Sequence, residues 1–390
     1  MSGPVYLDYA ATTPVDPRVA AAMAQCLSAE GSFGNPSSSH EYGDAAAALV
    51  ERARAQVAAS VGAAPEEVVW TSGATEANNL AIFGIAHYYR EYGRHVVTSR
   101  TEHKAVLDPC RELERRGWRV TYLAPDRGGV VHPDQVADAL QADTVLVSLM
   151  HVNNEIGAIQ DIAGIGALCA KHGRAHLHVD AAQSVGKSAI DFAGSGADLM
   201  SLSAHKAYGP KGVGALLRAR GRRSGGVHLA ALQLGGGQEG SLRAGTVPTH
   251  QVVGMGVAFE LARAAAPAES DRIAGLRERL WQGLASLGGA WRNGEAGRSV
   301  PQILNVSFEG VEGESLLAAL RGRLAVSTGS ACTSALQEAS YVLRALGRSE
   351  VLSESSLRFS LGRPTSEDEI ARAVAAVSQA VRRLRRIGGA

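Results

Sequence analysis

The chain has 390 residues, with 39 lysines and arginines against 38 aspartates and glutamates, a formal net charge of +1 at pH 7. That length excludes a peptide-sized binding module and is enough for a large core and a cleft between two lobes. The balanced charge provides no global field for nucleic acid, an anionic membrane or a polyanionic partner, which points to a small-molecule substrate.

Cys26, Cys110, Cys169 and Cys332 lie far apart with no C-x-x-C pair, which argues against a structural zinc site and a secreted disulfide framework. The N-terminus MSGPVYLDYAATTPVD has no basic flank followed by an apolar run, and nothing reaches the roughly 18 apolar residues of a membrane span. A cytoplasmic protein in a reducing compartment is expected, with Cys110 and Cys169 buried in helical surroundings.

In chain order, EEVVWTSGATEANNLAIFGIAHYY, RHVVTSRTEH, TVLVSLMHVNNEIG and AHLHVDAAQSVG each pair a short apolar run with a longer segment of helical period. These are βα units, and they predict a mostly parallel sheet covered on both faces, with ligands gathered where strands end. After the glycine-rich residues 234–246, a helical pattern runs over 249–263, followed by APAES and further charged helix. The boundary is placed there: a large domain over 16–260, and a smaller α+β domain from 1–15 and 261–390 containing strand-like ILNVSFEG and LRFSLG. The terminal VRRLRRIGGA reads as a basic helix end and a frayed tail.

Several polar residues sit at these strand ends. Ser72, Gly73, Ala74 and Thr75 lie between a strand and a helix, an arrangement that aims backbone N–H groups and a hydroxyl at a phosphate; a plain capping box with Glu76 adjacent is the alternative. His103 follows the strand HVVTSR, where its imidazole could stack on a flat ring and move protons near neutral pH, with a structural histidine as the alternative. Asp180 ends an apolar strand, where burial calls for a cationic partner such as a protonated pyridine nitrogen, with a helix N-cap as the alternative. Gln183 follows three residues later, within reach of a phenolic oxygen on the same ring. His176, His178 and Asp180 have period-two spacing, but with no cysteine or glutamate nearby the histidines read as hydrogen-bonding residues beneath the ring, and no metal is expected.

Lys206, in SLSAHKAYGPKG, follows an apolar strand and could form a Schiff base with a carbonyl cofactor, while Ser203 and His205 could add donors to the phosphate. Asn154 and Arg358 each lie at a strand end or within a strand, and the arginine's fork suits a substrate carboxylate, with a surface ion pair as the alternative. Cys332 lies in VSTGSACTSALQ, a run of small and hydroxyl residues that packs a core poorly and reads as a mobile loop holding a nucleophile.

Together these segments resemble the pyridoxal 5'-phosphate (PLP)-dependent cysteine desulfurases of the class V aminotransferase group, particularly the iron–sulfur-assembly subgroup. The resemblance runs over nearly the whole chain through LDYAATTPVDPRV, GNPSSSH, TSGATEANN, TEHKAVLDPCRELE, NNEIGAIQDI, HVDAAQSVGK, SAHKAYGPKGVGAL, GGGQEGSLRAGT, STGSACTS and SYVLRALG. It implies an α/β, fold type I transferase with a mostly parallel seven-stranded sheet in the large domain. It also implies that Lys206 carries the cofactor, Asp180 pairs with the ring nitrogen, Gln183 meets the phenolic oxygen and His103 stacks on the ring. Gly73, Ala74, Thr75, Ser203 and His205 would hold the phosphate, and Thr246 would reach the neighbouring subunit's cofactor across a homodimer. Asn154 and Arg358 would bind the carboxylate of L-cysteine, and Cys332 would receive its sulfur and pass it to an acceptor protein, either a cluster scaffold or a thiolation enzyme.

Two departures are noted. The motif begins Ser327-Thr328 where many relatives have two serines, and the chain stops at Ala390, short of the C-terminal extension with which several relatives dock a scaffold, which leaves the scaffold partner open. Another class V enzyme, such as a selenocysteine lyase or an aminotransferase, is the nearest competing reading. A non-catalytic platform or a metal-dependent enzyme is a more distant one.

Overall fold

The computed structural model describes residues 3–220, 226–328 and 339–389. The chain opens on a short strand, β1 (Val5–Tyr6), and the helices Pro17–Ala24 and Glu41–Ser60. Strands and helices then alternate: β2 (Val68–Thr71), helix Ala74–Tyr89, β3 (His95–Ser99), helix Lys104–Arg115 and β4 (Arg119–Leu123). Helix Pro133–Ala139, β5 (Thr144–Met150), helix Ile162–His172, β6 (His176–Asp180), β7 (Leu199–Ser203) and β8 (Gly214–Arg218) complete the run.

These strands form one seven-stranded sheet in the order β2-β8-β7-β6-β5-β3-β4. The pairings among β3 to β7 are parallel, and only β8 runs against its neighbours β7 and β2. The expected mostly parallel α/β sheet is therefore present. Every residue of β5, β6 and β7 is buried, because helices cover both faces. One face packs Val147, Leu177 and Val179 against Val57, Ile165 and Phe259, and the other packs Leu146 and Leu216 against Leu80, Ile85 and Leu113. Local signals set the ends of the covering helices. Asp161 accepts from the Gly164 N–H at 2.9 Å to start Ile162–His172, and Gly173, left-handed at φ 82°, ends it.

The remaining strands are β9 (Ala290–Asn293), β10 (Ile303–Phe308), β11 (Leu324–Ala325) and β12 (Ser356–Ser360). They form an antiparallel sheet, β12-β10-β9, and a parallel pair, β1-β11. A second core joins Val5 and Leu7 to Leu280, Val306, Phe359 and Val377, so the N-terminal segment closes this lobe.

One helix, Thr249–Ala285, spans both cores. The sequence suggests a break at APAES, and the division at residue 260 falls inside this helix. Pro267 costs one backbone hydrogen bond, but Phe259 and Ala262 bury into the large core on one side while Ile273 and Leu276 bury into the small core on the other. Apolar burial on both flanks outweighs the missing bond. Cys26, Cys110 and Cys169 are all buried, and among the described residues no helix is long and apolar enough to cross a membrane.

The parallel strands direct their carboxyl ends to one edge, where β8 begins. At Gly214 a Cβ would lie 2.4 Å from Leu202 O and 2.7 Å from Gly73 Cα, so the start of β8 presses against the β2–helix turn. Gly214→Ala should therefore force backbone apart and destabilise the protein by about 2–3 kcal/mol, read as a lowered urea midpoint at unchanged slope.

Candidate active site

At this edge a cleft of about 550 Å³ is lined by strand-end residues that include Thr75, His103, Asn154, Asp180, Gln183, Ser203, Lys206 and Arg358. Gly73, Ala74 and His205 line it too, so the structure brings together the sequence-predicted site residues with two exceptions. Cys332 lies outside the described residues. Thr246 is exposed and does not line this chain's cleft.

The first turn of helix Ala74–Tyr89 opens into the cleft. Gly73 is its N-cap and no side chain caps it, so the capping box that competed with a phosphate cup is not formed. Glu76 instead reaches back to the Ser72 N–H at 2.7 Å and is held by Arg243 at 2.8 Å. Burial would raise the Glu76 carboxyl, but these hydrogen bonds outweigh it and hold the group below its ordinary range. The first-turn N–H groups, which have no intrahelical acceptors, are left facing the cleft. Ser203 Oγ is buried there without a protein partner. His205 bonds Thr12 Oγ1 through Nδ1 at 3.2 Å; burial, and then the charge of Lys206, pushes its pKa down to about 4, so it stays neutral.

Lys206 sits in a turn fastened at both ends by Thr13. The Thr13 N–H and hydroxyl donate to His205 O at 2.9 and 3.0 Å, and the same hydroxyl accepts from the Tyr208 N–H at 2.8 Å. Tyr208 takes a left-handed φ of 62°, unfavourable for an aromatic residue, and the Arg363 guanidinium stacks 4.3 Å from its ring centroid.

Asp180, 6% exposed, accepts from Asn78 Nδ2 at 2.7 Å and from the Ala182 N–H at 3.0 Å. Beneath it, His178 bridges β5 and β7: Nδ1 meets Ser148 Oγ at 2.8 Å and Nε2 meets Ser201 Oγ at 2.9 Å. Burial pushes the His178 pKa down to about 4 against the attraction of Asp180. His176 does not join this group; it begins β6, 3.6 Å from Asp198 and against the Tyr89 ring. Among the described residues, no cluster of histidine, cysteine, aspartate and glutamate could hold a metal ion.

His103 combines two roles that the sequence presents as alternatives. Its ring lines the cleft, while its Nδ1 accepts from the Ala105 N–H at 3.1 Å and caps helix Lys104–Arg115. Burial, then the charge of Lys206, lowers its pKa, so the ring is neutral with its proton on Nε2.

Arg358, 4% exposed on β12, gives one terminal nitrogen to Asn154 O and the other to Asp8 Oδ1, both at 2.9 Å. Its Nε and the Asn154 Oδ1 are buried without protein partners. Gln183, 3% exposed, donates from Nε2 to Ala10 O at 2.7 Å.

Sequence reasoning misses Asn78, Asp8, Thr13 and Lys187, whose Nζ donates to Gln183 Oε1. Asn78 falls three residues after Thr75 on the same helix, so it shares that residue's face and could have been found by spacing. Asp8 and Thr13 belong to a segment that only the fold brings to the cleft.

A mostly parallel sheet with an anion cup, a lysine and a buried carboxylate at its carboxyl edge defines an α/β enzyme of cofactor-dependent amine chemistry. The aminotransferase class-V family model matches residues 5–373, and the chain belongs to that family. It is 55% identical over 386 residues to the cysteine desulfurase IscS of Pectobacterium atrosepticum, covering 99% of this chain and 94% of the relative. It is 56% identical over 388 residues to the cysteine desulfurase IscS of Azotobacter vinelandii, covering 99% and 95%. Among solved structures, a NifS-like protein superposes with a TM-score of 0.89 at 33% identity over 96% of this chain and 98% of that one. SspA in complex with cysteine superposes with a TM-score of 0.79 at 39% identity over 91% and 98%.

Enzymes of this family depend on PLP. The cleft fits that group: the partnerless Ser203 Oγ beside an uncapped helix start suits a phosphate, and the buried Asp180 carboxylate suits a protonated ring nitrogen.

His178 makes a pH prediction possible. Its native pKa of about 4 lies below the ordinary value of 6.5, so the unfolded chain binds more protons between these values and stability is lost as pH is lowered through that window. From pH 7 to 4.5 this one group should cost about 2–3 kcal/mol. Urea unfolding of His178→Gln should show a correspondingly flatter pH profile than the parent protein.

Proposed function

We propose that the chain is a PLP-dependent cysteine desulfurase that converts L-cysteine to L-alanine and leaves a persulfide on Cys332, supplying sulfur for iron–sulfur clusters or for thiolated tRNA and cofactors. The observation that carries this reading is the convergence of Lys206, Asp180, His103 and an uncapped helix start on one cleft. Lys206 would hold the cofactor covalently. Gly73, Ala74, Thr75, Ser203 and His205 would hold its phosphate, Asp180 would keep its ring nitrogen protonated, Gln183 would meet its phenolic oxygen and His103 would lie on its face. When bound, PLP would supply an electron sink for the negative charge developing at the substrate Cα.

The protein's own groups do the rest. Arg358 and Asn154 hold the substrate carboxylate, Arg358 donating from the Nε that protein leaves unpartnered and Asn154 from its amide N–H. Lys206 Nζ takes the proton from substrate Cα, and neutral His103, protonated at Nε2, is suited to relay protons beside it. The Cys332 thiolate then attacks the substrate sulfur. A sulfur–sulfur bond forms as the carbon–sulfur bond breaks, its electron pair stays with the carbon, and protonation of that carbon yields the methyl group of alanine.

The assembly is a homodimer in which Thr246 serves the partner's cofactor. Support comes from Leu234, 84% exposed on the same glycine-rich segment as the exposed Thr246. The two cores support a large domain over 16–260 and a small domain from 1–15 and 261–390. Three buried cysteines fit work in the cytoplasm.

Incubation with L-cysteine in the absence of reductant, followed by peptide mass spectrometry, should find one added sulfur on the Cys332 peptide together with released alanine. Cys332→Ala should abolish the added sulfur, and Lys206→Ala should lower alanine formation by about 10²-fold or more. An unmodified Cys332 peptide in a protein whose visible spectrum responds to cysteine would instead assign a different class V reaction.

A further inference from the structure

Gln183 is held from two sides, by a donor and by an acceptor. Lys187, four residues on, donates from Nζ to Gln183 Oε1 at 2.5 Å, and Gln183 Nε2 donates to Ala10 O at 2.7 Å. Ala10 O can only accept and a lysine nitrogen of either charge state can donate. Turning the amide over would set oxygen against oxygen at Ala10 and, with Lys187 protonated, N–H against N–H at Lys187. The side chain is 3% exposed and lines the cleft, so one Nε2–H, not spent on Ala10, is the donor it retains.

We propose that Lys187 is a positioning residue for the cofactor ring, locking Gln183 so that an N–H, and not the amide oxygen, faces the phenolic oxygen. The inference rests on the reading that Gln183 meets that oxygen. Lys187 is placed for the task by the fold: it lines, with Lys206, Thr13 and Tyr208, a second cavity of about 20 Å³, room for about one water. Burial first, then the charges of Lys206 and Arg358, lowers its pKa to about 7. The contact survives deprotonation, because a neutral amine keeps two N–H groups. Lysine thus supplies a donor at this point without requiring a permanent second charge beside Lys206.

A donor to the phenolic oxygen withdraws charge from it and weakens its hold on the neighbouring Schiff-base proton. Losing the donor should therefore raise the pH midpoint of the visible-absorbance change in the cofactor-loaded protein. Lys187→Met, or Lys187→Leu if the first fails to load, should raise that midpoint by about one pH unit. Gln183→Leu should do the same, the double variant should move no further than Gln183→Leu alone, and Lys187→Gln, which keeps a donor without the charge, should stay near the parent value.

A shift in Gln183→Leu without one in Lys187→Met would overturn the positioning role while leaving the Gln183 reading intact. Additive shifts in the double variant, or a Lys187→Gln shift as large as that of Lys187→Met, would also overturn it, since Lys187 would then act through its charge and not through the amide. No shift in Gln183→Leu would remove the underlying reading and the inference with it.

Discussion

A carboxylate taken out of water has to recover its solvation from fixed donors, and Asp180 recovers it at the end of a strand that is buried along its whole length. Asn78 and the Ala182 N–H supply two hydrogen bonds, and the Ser148–His178–Ser201 chain beneath fills the strand's polar face with satisfied groups. The helix Ala74–Tyr89 brings Asn78 to Asp180 and presents its open first turn to the same cleft. The element that stabilises the buried acid therefore also carries the uncapped first turn, so the spacing between Asp180 and that turn is set by one rigid helix.

The other end of the site depends on the N-terminal segment. Ser360 Oγ accepts from the Ala10 N–H at 2.8 Å, which ties the segment to the small core. From there it runs past Gln183 and fastens the Lys206 turn through Thr13. Asp8 in the same segment meets Arg358. A short piece of chain thus links the Lys206 turn, Gln183 and Arg358. Its hydrogen bonds stabilise the left-handed Tyr208, whose strain would otherwise disfavour the turn.

Neutral histidines are a recurrent consequence of this enclosure. His178 and His205 both have pKa values pushed to about 4 by burial, and His103 is lowered for the same reason with Lys206 adding to it. A neutral imidazole can accept a backbone N–H and still offer its own proton, which is how His103 caps a helix and lines the cleft at once. The competing structural and chemical readings of that residue in the sequence were not exclusive.

Periodicity and strand-end position made most of the cleft readable in advance, because a parallel sheet sends every strand's carboxyl end to one edge whatever the details of packing. Lys206, Asp180, Ser203, Thr75 and His103 all follow from that rule and from local chemistry. The continuous helix Thr249–Ala285 was not readable, since the propensity break at APAES is local whereas the apolar surface covering both of its flanks is not. Nor were Asp8, Thr13 and Lys187 as parts of the site. Their partners lie 350 residues away for Asp8, 192 to 195 for Thr13 and, for Lys187, on an amide whose orientation is set by Ala10 at a separation of 173. The amino-acid sequence by itself determined which chemistry is present and at which strand ends. Only the tertiary structure decided how those groups are held, because the hydrogen bonds that orient them connect segments that pattern and spacing do not relate.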